Sequence, residues 1–170
     1  MRNILSSALL VCIASSTTAC QPAVAVSRAV EIESIASAWI PPTAPARLPA
    51  GTTKVVPAIW LRVKNVSSQS LVSLQVNAVF HRVGEAGEWG SAFATVAGSQ
   101  GLPPGASSSE VGLASALGYT GTESESELLE NSEFVDASVD IFVKYASAQW
   151  TRVAQVPIAR RLVYDVGRHN

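Results

Sequence analysis

The chain has 170 residues, of which 48% are hydrophobic, 15% charged and 6% aromatic, a mixture too apolar to stay unfolded and sized for one domain with a substantial core plus tails. A formal net charge of −1 speaks against general electrostatic attraction to nucleic acid or to anionic lipid. Its two cysteines, Cys12 and Cys20, both fall in the first twenty residues, which leaves the body without a disulfide or a cysteine-built metal site.

Met1 to Cys20 (MRNILSSALLVCIASSTTAC) places Arg2 ahead of an apolar core from Ile4 to Ala14, followed by small residues. About 10 apolar residues cannot span a ~30 Å hydrocarbon core, so residues 1–19 read as a secretory signal and not as a membrane span. Residues 20–28, rich in Ala and Val, read as a tether. A folded domain is expected over 29–165, and 166–170 read as a tail. Ala29 to Ile40 begins in alternation, Val30 and Ile32 against Glu31 and Glu33. Its β-branched content favours an edge strand, stopped by Pro41-Pro42, over a short amphipathic helix. Pro41 to Thr53 is an extended crossing loop.

The clearest stretch is Ile59 to Arg82. Ile59, Leu61 and Val63 alternate with Trp60, Arg62 and Lys64, and Leu74, Val76, Ala78 and Phe80 alternate with Gln75, Asn77, Val79 and His81. A period of two puts each apolar set on one face of a strand. The polar run Asn65 to Ser70 favours a turn between the two strands. Such a pair needs covering by further strands. Gly90 to Ala97 and Ser107 to Ala114 supply short ones, divided by a tight turn over Ser99 to Gly105. Thr120 to Ser132 is an acidic, serine-rich connection. Within it Ser124 and Glu127 fit a capping box ahead of Leu128-Leu129, enough for one or two helical turns. Val135 to Tyr145 alternates again, and Trp150 to Arg160 returns, with Pro157 admissible on an edge or at a bulge. About seven short strands with regular turn signals predict an all-β fold, an antiparallel immunoglobulin-like β-sandwich.

Cys20 follows Ala19 at the end of the apolar segment, and this resembles the lipobox of bacterial lipoproteins, although Thr17 stands where that family prefers Leu. Cys12 is a poor rival because Val11 precedes it. The resemblance implies cleavage before Cys20 and acylation of its thiol. Gln21, in a place where Asp would hold the protein at the inner membrane, implies an outer-membrane position facing the periplasm. Several acyl chains on one residue exceed what stable anchoring requires. The run V-x-N-x-S-S at Val63 to Ser68, the alternating strand after it and the turn Leu102-Pro103-Pro104-Gly105 resemble bacterial envelope domains of the FxLYD and LEA-like group. That likeness covers Pro57 to Arg160 and implies an extracytoplasmic accessory domain without catalysis.

Of the two histidines, His81 falls on the wetter face of a strand and His169 is one residue from the C-terminus; a metal site would need them to converge with carboxylates, and they read instead as a surface histidine and a frayed tail. G-x-S-x-G, Ser-x-x-Lys, P-loop and H-E-x-x-H patterns are missing, so no catalytic residue and no cofactor is expected. Glu123, Glu125, Glu127, Glu130, Glu133, Asp136 and Asp140 form an acidic run uninterrupted by Lys or Arg. Hard cations favour such oxygen clusters, but the run reads better as a docking surface for a basic partner. Trp39, Trp60, Trp89 and Trp150 read as core residues ahead of interface anchors. The expected function is that of a lipid-anchored docking module for an envelope protein complex. It would engage its partner through Tyr119, Glu123, Glu125, Glu127 and Glu130, and through an exposed sheet edge. A second expectation is a small-molecule or lipid carrier, with a cavity between the sheets near Ala58, Ala78, Ala92, Ala94 and Ala137.

Overall fold

A computed structural model describes residues 24–42 and 48–164; the expected signal segment 1–19, Cys20, His169 and the expected tail 166–170 lie outside those residues. A short helix, α1 (Val26–Ala29), runs without a break into β1 (Val30–Ile40). β2 (Thr53–Asn65), β3 (Leu74–Arg82) and β4 (Gly90–Ala97) follow. β5 (Val111–Ala114) and β6 (Tyr119–Gly121) precede the helix α2 (Glu125–Glu130), and β7 (Ala137–Lys144) and β8 (Thr151–Pro157) complete the order. Together they form an all-β sandwich of two antiparallel sheets. One sheet has the order β1-β2-β5, with β6 also pairing β2; the other has the order β4-β3-β7-β8.

Alternation decides which side of each strand is dry. Ile59, Leu61 and Val63 of β2, Val76 and Phe80 of β3, and Val139, Ile141 and Val143 of β7 are all 0% exposed and meet between the sheets. Each such side chain stabilises the fold by about 1.5–3 kcal/mol relative to exposure. Trp60 takes the opposite side of β2, where it packs with Ile40, Val56 and Ala58 in a small cluster on the outer face. Ala58, expected near an interior cavity, therefore lies on the outer side of its sheet. β1 and β8 are both edge strands, and Pro157 is the last residue of β8, where its missing N–H is tolerated.

Two elements differ from expectation. An eighth strand, β6, opens the acidic connection and extends the pairing of β2 beyond the end of β5. Ala58 pairs with Ala114 of β5, whereas Val55 pairs with Tyr119 of β6. Pro57 sits at the changeover, its carbonyl accepting from Ser115 N at 3.0 Å. The chain crosses here so tightly that a Cβ on Gly118 would lie 2.0 Å from the Val55 carbonyl oxygen; glycine makes the step to β6 sterically open. The other difference is at the tether. Val24 is packed on the core, Val26 and Ala29 are buried, and the Tyr145 hydroxyl donates to the Val24 carbonyl. Ala and Val read as linker composition, but here their apolar side chains cover a corner of the sandwich.

Asn65 ties this α1 end together. Its fully buried amide donates to the carbonyls of Gln69 (2.8 Å) and Leu102 (2.7 Å) and accepts from Ser67 N (2.9 Å) and the Ser67 hydroxyl (2.7 Å). Both donors and both acceptor sites are engaged, in keeping with a turn role for Asn65-Val66-Ser67. Asn65→Ala leaves the Gln69 and Leu102 carbonyls without this donor and is expected to cost about 3 kcal/mol. Urea unfolding should show a lower midpoint at unchanged slope; a wild-type midpoint would refute the assignment.

Candidate functional site

At the end of the sandwich opposite α1, β6 carries Tyr119 into a group of aromatic rings. Its centroid lies 4.5 Å from Phe134, 5.1 Å from Trp89 and 5.8 Å from Trp39, and Trp39 meets Phe134 edge-on at 4.8 Å. Arg82 covers Trp89 and Tyr119 at 5.6 Å each, and Arg160 covers Phe134 at 4.8 Å. Such cation–π contacts add about 0.5–1 kcal/mol at exposed sites. The Tyr119 hydroxyl donates to the Val135 carbonyl (3.0 Å) and accepts from Val135 N (3.3 Å) and Arg82 Nε (3.2 Å). That last bond raises the pKa of the Arg82 guanidinium above its ordinary value. Trp39, wholly buried, has no hydrogen-bond partner for its indole N–H among the described residues.

Beside this group is a cleft of about 380 Å³. Tyr119, Leu128 and Phe134 give it apolar lining, and Glu123, Asn131 and Glu133 give it polar lining. Thr53 at the start of β2 fixes the connection, its hydroxyl donating to the Glu123 carbonyl. The α2 helix exists because its first turn is capped. Ser124 Oγ accepts from Glu127 N, and the Glu127 carboxylate accepts from Ser124 N (2.9 Å) and the Ser124 hydroxyl (2.7 Å). Leu128 and Leu129 then dock the helix on the core.

The expected docking residues thus divide. Tyr119 and Glu123 line the cleft. Glu127 is engaged in the cap, while Glu125 is half-buried and Glu130 exposed on α2. Glu133, part of the acidic run though not among the named contact residues, lines the cleft with Asn131 and Phe134, which were not expected there; the one available signal for Phe134 was an aromatic residue within the acidic run. The carboxylates do not converge: among the described residues no group of three or more His, Cys, Asp or Glu side chains is placed to hold a metal ion. Asp140 instead lies beside Arg152 Nη1 at 3.2 Å and His81 Nε2 at 3.7 Å, on the outer face of the β7 sheet. His81 Nδ1 stands 3.1 Å from the Gly87 carbonyl.

A second cleft, also about 380 Å³, opens at the seam between the edge strands β1 and β8. Val30, Ile32 and Ile35 line one side and Val153 and Ala154 the other, with Glu31 and Arg152 alongside. Ile35 pairs with Leu61, which faces the core, yet is 37% exposed because β8 does not close over it. In comparison with known proteins, no family model and no curated sequence matches this chain.

The capping box makes a titration prediction. Hydrogen bonds from the Ser124 side chain and backbone hold the Glu127 carboxyl below its ordinary value. A group lowered in the folded state contributes stability above its unfolded pKa, and that contribution is lost as pH falls through the folded value. Carbon-detected NMR should therefore find Glu127 titrating below an ordinary glutamate, and Ser124→Ala should move it upward. The thermal-stability gap between wild type and Ser124→Ala should narrow in acid. An unshifted Glu127 resonance would dismiss the cap as a source of α2 stability.

Proposed function

We propose that this chain is a non-catalytic, lipid-anchored accessory protein of a bacterial cell envelope that docks onto an envelope protein complex. The observation that carries the reading is the cleft at Tyr119. It combines aromatic and aliphatic lining with Glu123 and Glu133, and the neighbouring α2 adds Glu125 and Glu130. Such a site fits a basic side chain whose alkyl stem lies on Tyr119 and Phe134 while its charge meets the carboxylates. The partner is thus a protein presenting Lys or Arg on an exposed segment. Anchoring rests on Cys20 and its lipobox-like setting, and the periplasm-facing outer-membrane address rests on Gln21.

The seam between β1 and β8 favours a second reading, that of a small-molecule or lipid carrier. Inward-directed Ile32 and Ile35 remain partly uncovered there, as an apolar ligand site requires.

Crosslinking in the native cell, followed by affinity purification and mass spectrometry of the full-length protein, separates the two. Docking predicts one envelope complex, with recovery lowered about tenfold by E123K/E133K, the equivalent of about 1.4 kcal/mol. Glu110→Lys, exposed and outside the cleft, should leave recovery unchanged. Recovery indifferent to E123K/E133K sinks the docking reading. A lipid or small molecule co-purifying in near-equal amount, lost in Ile35→Asp, puts the carrier in its place.

A further inference from the structure

The two ends of the sandwich differ in charge, and the difference lines up with the start of the described chain. At the α1 end three loops come together. Ser73 N donates to the Gly98 carbonyl, Leu71 and Leu102 exchange backbone hydrogen bonds, and Ala146 N donates to the Val72 carbonyl. The parts of these loops at this end, Val66–Ser73, Gly98–Ser109 and Tyr145–Trp150, contain no Asp, Glu, Lys, Arg or His; the one charge of the β4–β5 loop, Glu110, lies at its β5 end, next to the Leu61–Val111 pair. Val66 is 47% and Val72 39% exposed, and Trp150, 39% exposed, stands where the third loop enters β8. The opposite end also exposes Val83 and Leu117, but it carries Glu85, Glu88 and the glutamates of the acidic connection. An uncharged loop surface loses little hydration on leaving water, whereas a carboxylate-rich one loses much.

The chain's own course indicates what covers these uncharged loop surfaces. Val66 N donates to the Ala29 carbonyl, and the Tyr145 hydroxyl holds the Val24 carbonyl, so the entry of the chain is fastened to this end. From Cys20 to Val24 is four residue steps, a reach of roughly 14 Å even at full extension. We propose that the α1 end of the sandwich rests on the lipid bilayer, with Val66 and Val72 at the headgroup interface. Arg28 on α1 adds a cation suited to anionic headgroups. Trp150 flanks the contact as an amphipathic ring. β2 spans 13 residues from this end to the Thr53 end, so the acidic cleft is displayed roughly 40 Å from the membrane. The inference rests on acylation of Cys20, as in the proposed function, and is independent of what the acidic cleft binds.

The test uses full-length protein purified from envelopes and bound to vesicles of phosphatidylethanolamine and phosphatidylglycerol. After signal removal and acylation no free thiol remains, so V66C, V72C and E130C each carry one fluorophore. Labels at 66 and 72 should be quenched by lipids bearing a headgroup nitroxide, and should lose most of their quenching by aqueous iodide. The label at 130 should keep its full response to iodide. If mass spectrometry finds Cys20 acylated and the protein bound, but all three labels answer iodide alike, the resting contact is wrong and the anchor stands. If Cys20 is unmodified and the protein leaves the vesicles, both fall together.

Discussion

The constraint on which this structure turns is the backbone of β2. A 13-residue strand in the middle of a sheet presents donors and acceptors along both edges, and buried ones must be paired. β1 satisfies one edge along most of its length, but no single strand satisfies the other. β5 takes the stretch from Ala58 to Leu61 and β6 the stretch from Thr53 to Val55. The gap between them falls at Pro57, the one residue of β2 with no N–H to satisfy. Local chemistry and sheet pairing agree at that position. The chain must therefore step across β2 at Gly118, and the step delivers Tyr119 to the aromatic group and opens the acidic connection beyond it.

Tyr119 then does for the β6 end what Asn65 does for the α1 end. Each is a polar group that hydrogen-bonds the backbone of a segment distant in sequence, Val135 for one and Leu102 for the other, besides its other contacts. Loops closed this way are fixed by direction-specific bonds and not only by apolar burial, which is non-directional. This recasts Tyr119. Its hydroxyl has two acceptor contacts and one donor contact already made within the chain, so a partner in the cleft would meet the ring edge and not a free phenol. Under the docking proposal, charge recognition there would fall to the carboxylates, with the ring as an apolar wall.

Period-two alternation carried most of the fold. Ile59–Leu61–Val63, Leu74–Phe80 and Val139–Val143 read correctly because burial on one face leaves little freedom in register. The capping box at Ser124 and Glu127 was equally plain, being a local pattern with a local cause. What escaped was non-local. β6 is three residues long and has no periodicity to show; it is a strand only because β2 offers an unpaired edge. The packing of Val24 to Ala29 was likewise invisible, since the same residues form a tether or a cover depending on whether an apolar corner waits for them. For the candidate site, the acidic run marked the connection that borders the Tyr119 cleft. It could not show that Glu133 lines the cleft, because that depends on where α2 docks.

The two clefts differ in what their surroundings allow. The seam between β1 and β8 is a by-product of two edge strands that converge at Ser37, whose hydroxyl donates to the Pro157 carbonyl and accepts from Ala159 N, and part toward Ile32. Its walls are backbone edges and aliphatic side chains, and its charges, Glu31 and Arg152, are of opposite sign. Nothing in that composition favours one charged ligand over another. The Tyr119 cleft is asymmetric: among the described residues its lining holds Glu123 and Glu133 and no cation, while Arg82 and Arg160 are engaged over aromatic faces and with Glu85 and Asp136, and Lys54, paired with Thr120 of the lining, donates to the Ala116 carbonyl. Arginine and glutamate are thereby sorted into separate places, cations against rings and anions along the cleft. Under the docking proposal, carboxylates left outward in this way would favour a basic partner.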